Sequence, residues 1–248
     1  MSILWAVGDG GNGSAEAKRL AGTIAADRPR RVLYLGDVYE RGTPEEFARF
    51  YKPTYGRFAS ITSPTPGNHE WPLHRQGYDP YWRDALGATP ASWYSVRAGG
   101  WQIISLNSET DHGTGSPQVR WLQRTVRGPG DCRIAFWHRP RYNAGTVHGD
   151  APDVEPLWSA LRGHARIVLS GHEHNMQRLA PRDGITQFVS GAGGRDHYGF
   201  HRRPDVKFAD AEHFGALRLT LRPGHAGWSF VSADGKTLDS GSIGCTAG

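Results

Sequence analysis

The amino-acid sequence predicts an α/β fold, and three observations carry that prediction. Short apolar runs alternate with stretches that read as helices. Most of those runs end at a glycine followed by Asp, Asn or His. After residue 184 the helical signals stop and only strand-like runs remain.

In chain order, "ILWAVGDGG" reads as a first strand and turn, delivering Asp9. A helix follows over 14–27, with Ser14 and Ala17 marking its start. "RVLYLGDVY" is the next strand and delivers Asp37. A helix over 43–51 opens at Thr43-Pro44 with Glu45 and Glu46 in its first turn. "SPTPGNHEW" then presents Asn68 and His69. A helix over 116–126 precedes "RIAFWHRPRY", which presents His138. A further helix over 153–161 leads into "RIVLSGHEH", where an apolar run stops at Ser170-Gly171 and His172 and His174 follow. The runs "ITQFVSGAG", "GALRLTL", "GWSFVSADG" and "KTLDSGS" read as antiparallel strands joined by glycine-containing turns, forming a further sheet. Residues 193–215, basic and aromatic, read as a long irregular loop.

Composition bounds the function classes. With 248 residues, 38% of them hydrophobic, the chain can bury one sizeable core, and residues 1–248 are expected to form a single catalytic domain. No apolar stretch approaches the roughly 20 residues of a membrane-spanning helix, so no membrane partner is expected. The net charge of +5 suits anionic substrates. The arginines are spread along the chain instead of forming a block, so no nucleic-acid partner is expected. The chain as written opens in its first strand without a secretory signal, which makes a cytoplasmic protein the expectation. A secreted protein is the alternative, with Cys132 and Cys245 paired; two buried thiols are equally compatible with the sequence. The oligomeric state is not written in the sequence.

Any one Gly-Asp after a strand is a common turn, and a single histidine after an apolar run is usually a satisfied core residue. The set changes that reading. Strand carboxyl ends of an α/β sheet gather on one edge, where ligands bind. Here Asp9, Asp37, Asn68, His69, His138, His172 and His174 all sit at such ends, with no thiol among them. Oxygen and imidazole donors suit iron, manganese or zinc. The set is too large for one tetrahedral site and suits two ions sharing a carboxylate.

In that order, "GDGG", "GDVY", "GNHE", "FWH" and "GHEH" resemble the calcineurin-like metallophosphoesterases, with the bacterial purple-acid-phosphatase-like branch as the nearest likeness. The likeness runs from Gly8 to the closing strands. "GNHE" followed by "GHEH" is its specific part; "GDGG" alone is weak. The resemblance implies a four-layer α/β/β/α sandwich of two mixed sheets flanked by helices. It implies a dinuclear metal centre of Fe, Mn or Zn, with Asp9 and His174 on the first ion, Asn68, His138 and His172 on the second, and Asp37 bridging. It further implies hydrolysis of a small phosphorylated substrate by a bridging hydroxide, with His69 assisting the leaving group. His148 matches, loosely, a place where the purple enzymes keep a substrate-facing histidine.

One departure stands out. The purple enzymes have a metal-binding tyrosine three residues after the bridging Asp, whereas Tyr39 is two residues after Asp37 and Glu40 takes the third place. Tyr39 as a metal ligand, or as a ring packed beneath the loop, are both open at this stage. Arg195, His197, His201, Arg202 and Arg203 are candidates for a cationic rim. Glu173 and Glu109 are candidates to orient the ligand histidines. A phosphomonoesterase is the first reading, a phosphodiesterase on nucleotide or headgroup diesters the second, and a non-catalytic binding scaffold the third.

Overall fold

The computed structural model describes residues 1–246. Its first strand, β1 (Ser2–Val7), shows how the layers arise. Successive side chains of a strand point to opposite faces. Leu4 and Ala6 therefore enter a central cluster with Leu33, Ile134, Phe136, Leu169, Phe188 and Leu217. Trp5 and Val7 turn the other way and meet Ala17, Leu20, Ala21 and Ile24. Those four residues are the buried stripe of α1 (Ala15–Ala26), whose N-cap Ser14 accepts from the Ala17 amide at 3.0 Å.

The chain continues through β2 (Arg31–Tyr34), α2 (Pro44–Glu46) and β3 (Thr62–Pro64). Thr43 and Glu46 form a capping box around α2, which runs on into a wider π-type turn over Phe47–Tyr51. Next come α3 (Tyr78–Leu86), the hairpin β4 (Tyr94–Ala98) and β5 (Trp101–Ser105), α4 (Pro117–Thr125) and β6 (Arg133–Phe136). After α5 (Glu155–Leu161) lie β7 (Ile167–Ser170), β8 (Met176–Leu179), β9 (Thr186–Ser190) and β10 (Val206–Asp210). The chain closes with β11 (Gly215–Arg222), β12 (His225–Ser232) and β13 (Thr237–Gly244).

Two mixed sheets result, ordered β13-β12-β11-β1-β2-β3 and β10-β8-β9-β7-β6-β5-β4. The parallel strands β1, β2 and β3 lie on one edge of the first sheet, and β5, β6, β7 and β9 run parallel in the second. The central cluster fills the space between the sheets. Helices α4 and α5 cover the outer face of the second sheet through Val119, Leu122, Leu157 and Trp158. This is the four-layer sandwich expected.

Two expectations for the second half are corrected. Its strands form no further sheet: β9 inserts between β7 and β8, while β11 to β13 extend the sheet of β1. The stretch 193–215 is not loop throughout, because β10 pairs antiparallel with β8 inside it. Cys132 and Cys245 form a disulfide, Cα–Cα 5.0 Å, joining the entry to β6 with the end of β13. Among the described residues no helix is long and apolar enough to cross a membrane.

Candidate metal centre

The turns after β1, β2, β3, β6 and β7 bring all seven ligand-type residues together. Asp9, Asp37 and His172 adopt left-handed backbone, with φ of 60°, 71° and 70°. Such φ values in non-glycine residues cost about 1–3 kcal/mol each and are held only by their surroundings. Here the surroundings are a mesh of cross-loop bonds. The His172 amide donates to Asp9 Oδ2 at 2.9 Å, and the His69 amide donates to Asp37 Oδ1 at 3.1 Å. A Cβ on Gly171 would sit 2.6 Å from Asp9 Oδ2, so the approach of these two turns needs glycine there.

The residues fall into two groups. In one, the Tyr39 hydroxyl lies 2.9 Å from Asp9 Oδ1 and 2.9 Å from His174 Nε2. Tyr39 is thus buried inside the site and bonded to its members, two residues after Asp37 though it is. In the other, His138 Nε2 lies 3.0 Å from Asn68 Oδ1 and 3.0 Å from His172 Nδ1. Asp37 stands with this second group, its Oδ2 3.4 Å from His138 Nε2 and 3.9 Å from His69 Nε2. Ligand atoms of Asp37, His138 and His172 lie within 4.8 Å of one another.

Tautomers follow from the outer partners. His138 Nδ1 donates to the Leu35 carbonyl at 2.8 Å and His174 Nδ1 donates to the Asp196 carbonyl at 2.8 Å. Each Nε2 is left facing the centre, the orientation that metal-binding imidazoles take. Burial lowers His172 below the ordinary imidazole range, with the neighbouring His138 acting in the same direction. Burial likewise lowers His174, to about 4, so both rings present lone pairs. For His138 burial also opposes the charge, but the Asp37 carboxylate outweighs it and pushes the ring up to about 10. Burial raises Asp9 well above the carboxylate range. Carboxylate and amide oxygens and imidazole nitrogens thus crowd into a buried space in which protons on His138 and Asp9 relieve their mutual repulsion. Bound cations would do the same, and the donor set fits a pair of such ions.

The surroundings hold several findings. Glu70, at 1% exposure, accepts from the amides of Asp37, Val38 and Gly67, tying the β2 and β3 turns to each other. Sequence reasoning missed it, although it is the last letter of "GNHE". Neither proposed orienting acid touches a ligand histidine: Glu109 pairs with Arg139, and Glu173 turns to the loop 143–148. The His148 ring stacks on His172 at 3.8 Å, and Tyr198, also missed, stacks on His174 at 4.0 Å. Of the rim candidates, Arg195 lies over the Tyr39 ring at 4.8 Å and pairs with Glu40. His197 packs on Phe214, while Arg203 is engaged by Asp205 and Asp150. His201 and Arg202 are exposed.

Comparison with known proteins agrees with this geometry. The model of the calcineurin-like phosphoesterase family matches residues 4–176. The probable purple acid phosphatase 20 of Arabidopsis thaliana is 28% identical over 172 residues, 58% of this chain and 40% of that protein. The chain therefore spans well under half the length of that relative. Purple acid phosphatase PPD1 from yellow lupin (Lupinus luteus) seeds superimposes with a TM-score of 0.83 at 19% identity, over 98% of this chain and 53% of that one. GAP50, the anchor in the inner membrane complex of Plasmodium, shares the fold with a TM-score of 0.79 at 14% identity, over 98% and 88% of the two chains. With the family match running through all five ligand-bearing turns, the chain belongs to the calcineurin-like phosphoesterase family.

Proposed function

We propose that the protein is a dinuclear metal-dependent hydrolase of phosphate esters, acting on small phosphomonoesters through one catalytic domain. The observation that carries this reading is the convergence of Asp9, Tyr39 and His174 on one side and Asn68, His138 and His172 on the other, with Asp37 among them. Each group would hold one ion of Fe, Mn or Zn, and Asp37 would serve both. Two such ions, when bound, neutralise phosphate charge and lower the pKa of water toward about 7.

The remaining roles belong to the chain's own residues. His69 Nδ1 donates to the Glu40 carbonyl at 2.6 Å, which leaves Nε2 directed toward the Asp37 side of the centre. The protonated ring can give that Nε2 proton to the departing alkoxide. His148, parallel to His172, can donate to a phosphate oxygen over the second group. Arg195, over the Tyr39 ring and paired with Glu40, stands beside the first group, where its remaining guanidinium N–H groups can meet a phosphate oxygen.

The test is reconstitution. Metal-free protein is reloaded with Fe, Mn or Zn, and rates on p-nitrophenyl phosphate and bis(p-nitrophenyl) phosphate are measured side by side. The proposal expects metal-dependent turnover, faster on the monoester. Faster cleavage of the bis-ester would make it a phosphodiesterase, and two bound ions without turnover would leave a binding scaffold.

A further inference from the structure

Glu173 has no role in the mechanism above, yet it is fully buried between two ligand-type histidines. No ion pair to it occurs among the described residues. Its acceptor oxygens are instead occupied by one loop. Oε2 accepts from Asn143 Nδ2 at 2.9 Å and from the His148 amide at 3.0 Å, and Oε1 accepts from the Val147 amide at 3.3 Å. The carboxyl also lies so close to Gly145 that a Cβ there would overlap it. Asn143 extends the network: its Oδ1 accepts from the Gly145 amide at 2.8 Å and from Gln177 Nε2 at 2.7 Å. The loop 143–148 is thereby fastened to the turn after β7 and to β8 at once.

We infer that Glu173 is the positioning residue for His148, fixing that histidine over His172 and so setting where a substrate phosphate is met. This rests on the phosphatase reading for its consequence, but the fastening itself does not. One residue on either side of Glu173 are His172 and His174. The covalent chain thus ties the loop's anchor to the same turn that supplies both groups of the centre. A loop held by a distant residue could drift relative to the ions; one held from within the His-x-His turn moves with them. A carboxylate suits the task because it only accepts, and the loop offers it three donors. Buried charge-assisted bonds of this kind are stronger than neutral ones, so the loop is held rigidly.

The test uses Glu173→Gln, nearly the same size as Glu, with His148→Ala and the double variant. Glutamine replaces one acceptor oxygen with an NH2 group that faces a loop donor, so at least one bond is lost. In the metal-loaded protein, exchange of the Val147 and His148 amides should accelerate at least about tenfold in Glu173→Gln while β7 amides keep their protection. Metal content should stay at the wild-type value. On p-nitrophenyl phosphate, His148→Ala and Glu173→Gln should each lower kcat/KM by about 10- to 100-fold, the worth of a charged hydrogen bond. The double variant should be no worse than His148→Ala alone, within about threefold. A merely structural role would make the two losses multiply, and that result overturns the proposal. So does unchanged exchange at 147 and 148, or loss of metal from Glu173→Gln. If the loaded wild type cleaved no phosphate ester, the phosphatase reading would fall while the amide measurement still decided what Glu173 does.

Discussion

Replacing His69 by Ala separates chemistry from assembly. The His69 backbone amide, which holds Asp37 Oδ1 at 3.1 Å, survives the substitution. Glu70, the next residue, keeps its three amide contacts across the two turns. The carboxylate at the heart of the centre therefore stays in place, and metal content should not change. What is lost is a ring fixed by the Glu40 carbonyl and by edge contact with Tyr39 at 4.5 Å, with Nε2 free on the site side. A positioned proton donor of this kind contributes about 10²–10⁴ in rate, roughly 3–5 kcal/mol of barrier. The loss should track the leaving group. An alkoxide needs the proton and should show the full effect, while p-nitrophenolate leaves readily unaided and should show a smaller one. The assay is kcat for the wild type and His69→Ala across a series of alkyl and aryl phosphates, with metal content measured on the same samples. Equal losses across the series, or wild-type turnover on an alkyl phosphate, would refute the donor role.

Other predictions follow from neighbouring contacts. Tyr39→Phe removes the hydroxyl lying between Asp9 and His174; the iron-loaded protein should lose visible absorbance and bind its first ion more weakly, and an unchanged spectrum would exclude a phenolate ligand. Glu70→Ala strands three buried amides and should lower unfolding stability by about 2–4 kcal/mol, measured by urea titration. At Asp27, burial raises the carboxyl, but hydrogen bonds from Arg218 and Trp5 outweigh it and hold it below its ordinary value of 3.8. A depressed carboxyl stabilises the fold above its unfolded value and loses that effect as pH falls through the folded one. Asp27→Asn should therefore cost about 1–2 kcal/mol at neutral pH, with the gap closing below pH 3.8.

The site was written in the sequence more fully than the fold around it. The convergence of Asp9, Asp37, His138, His172 and His174 could be read because each lies in a turn that follows an apolar run, and ends of parallel strands share an edge; Asn68 was legible only through the letters of "GNHE". Four helices could be read, two of them from their starts: Ser14 and Thr43-Pro44 cap as expected. Helix α3 was missed; Pro80 and three aromatic residues in nine obscure its period. Strand β3 is three residues ending in proline, and β10 lies among charged residues, so neither carries an alternating pattern. Sheet membership of β9 and β11 depends on partners far along the chain, which local pattern does not encode. The roles of Glu70 and Glu173 were hidden for a related reason. Each sits beside a site histidine in sequence and points away from it, a matter of backbone direction set by the turn. The pairing of Cys132 with Cys245 needed the proximity of two segments separated by 113 positions.

The most direct measurement is the number of metal ions per chain, by elemental analysis of protein reconstituted with excess iron, manganese or zinc and then desalted. The proposed sharing of Asp37 by both groups predicts two equivalents in the wild type and fewer in Asp37→Ala, with esterase activity rising only as the second ion is taken up. Saturation at one ion, or two ions retained without Asp37, would contradict a shared dinuclear centre.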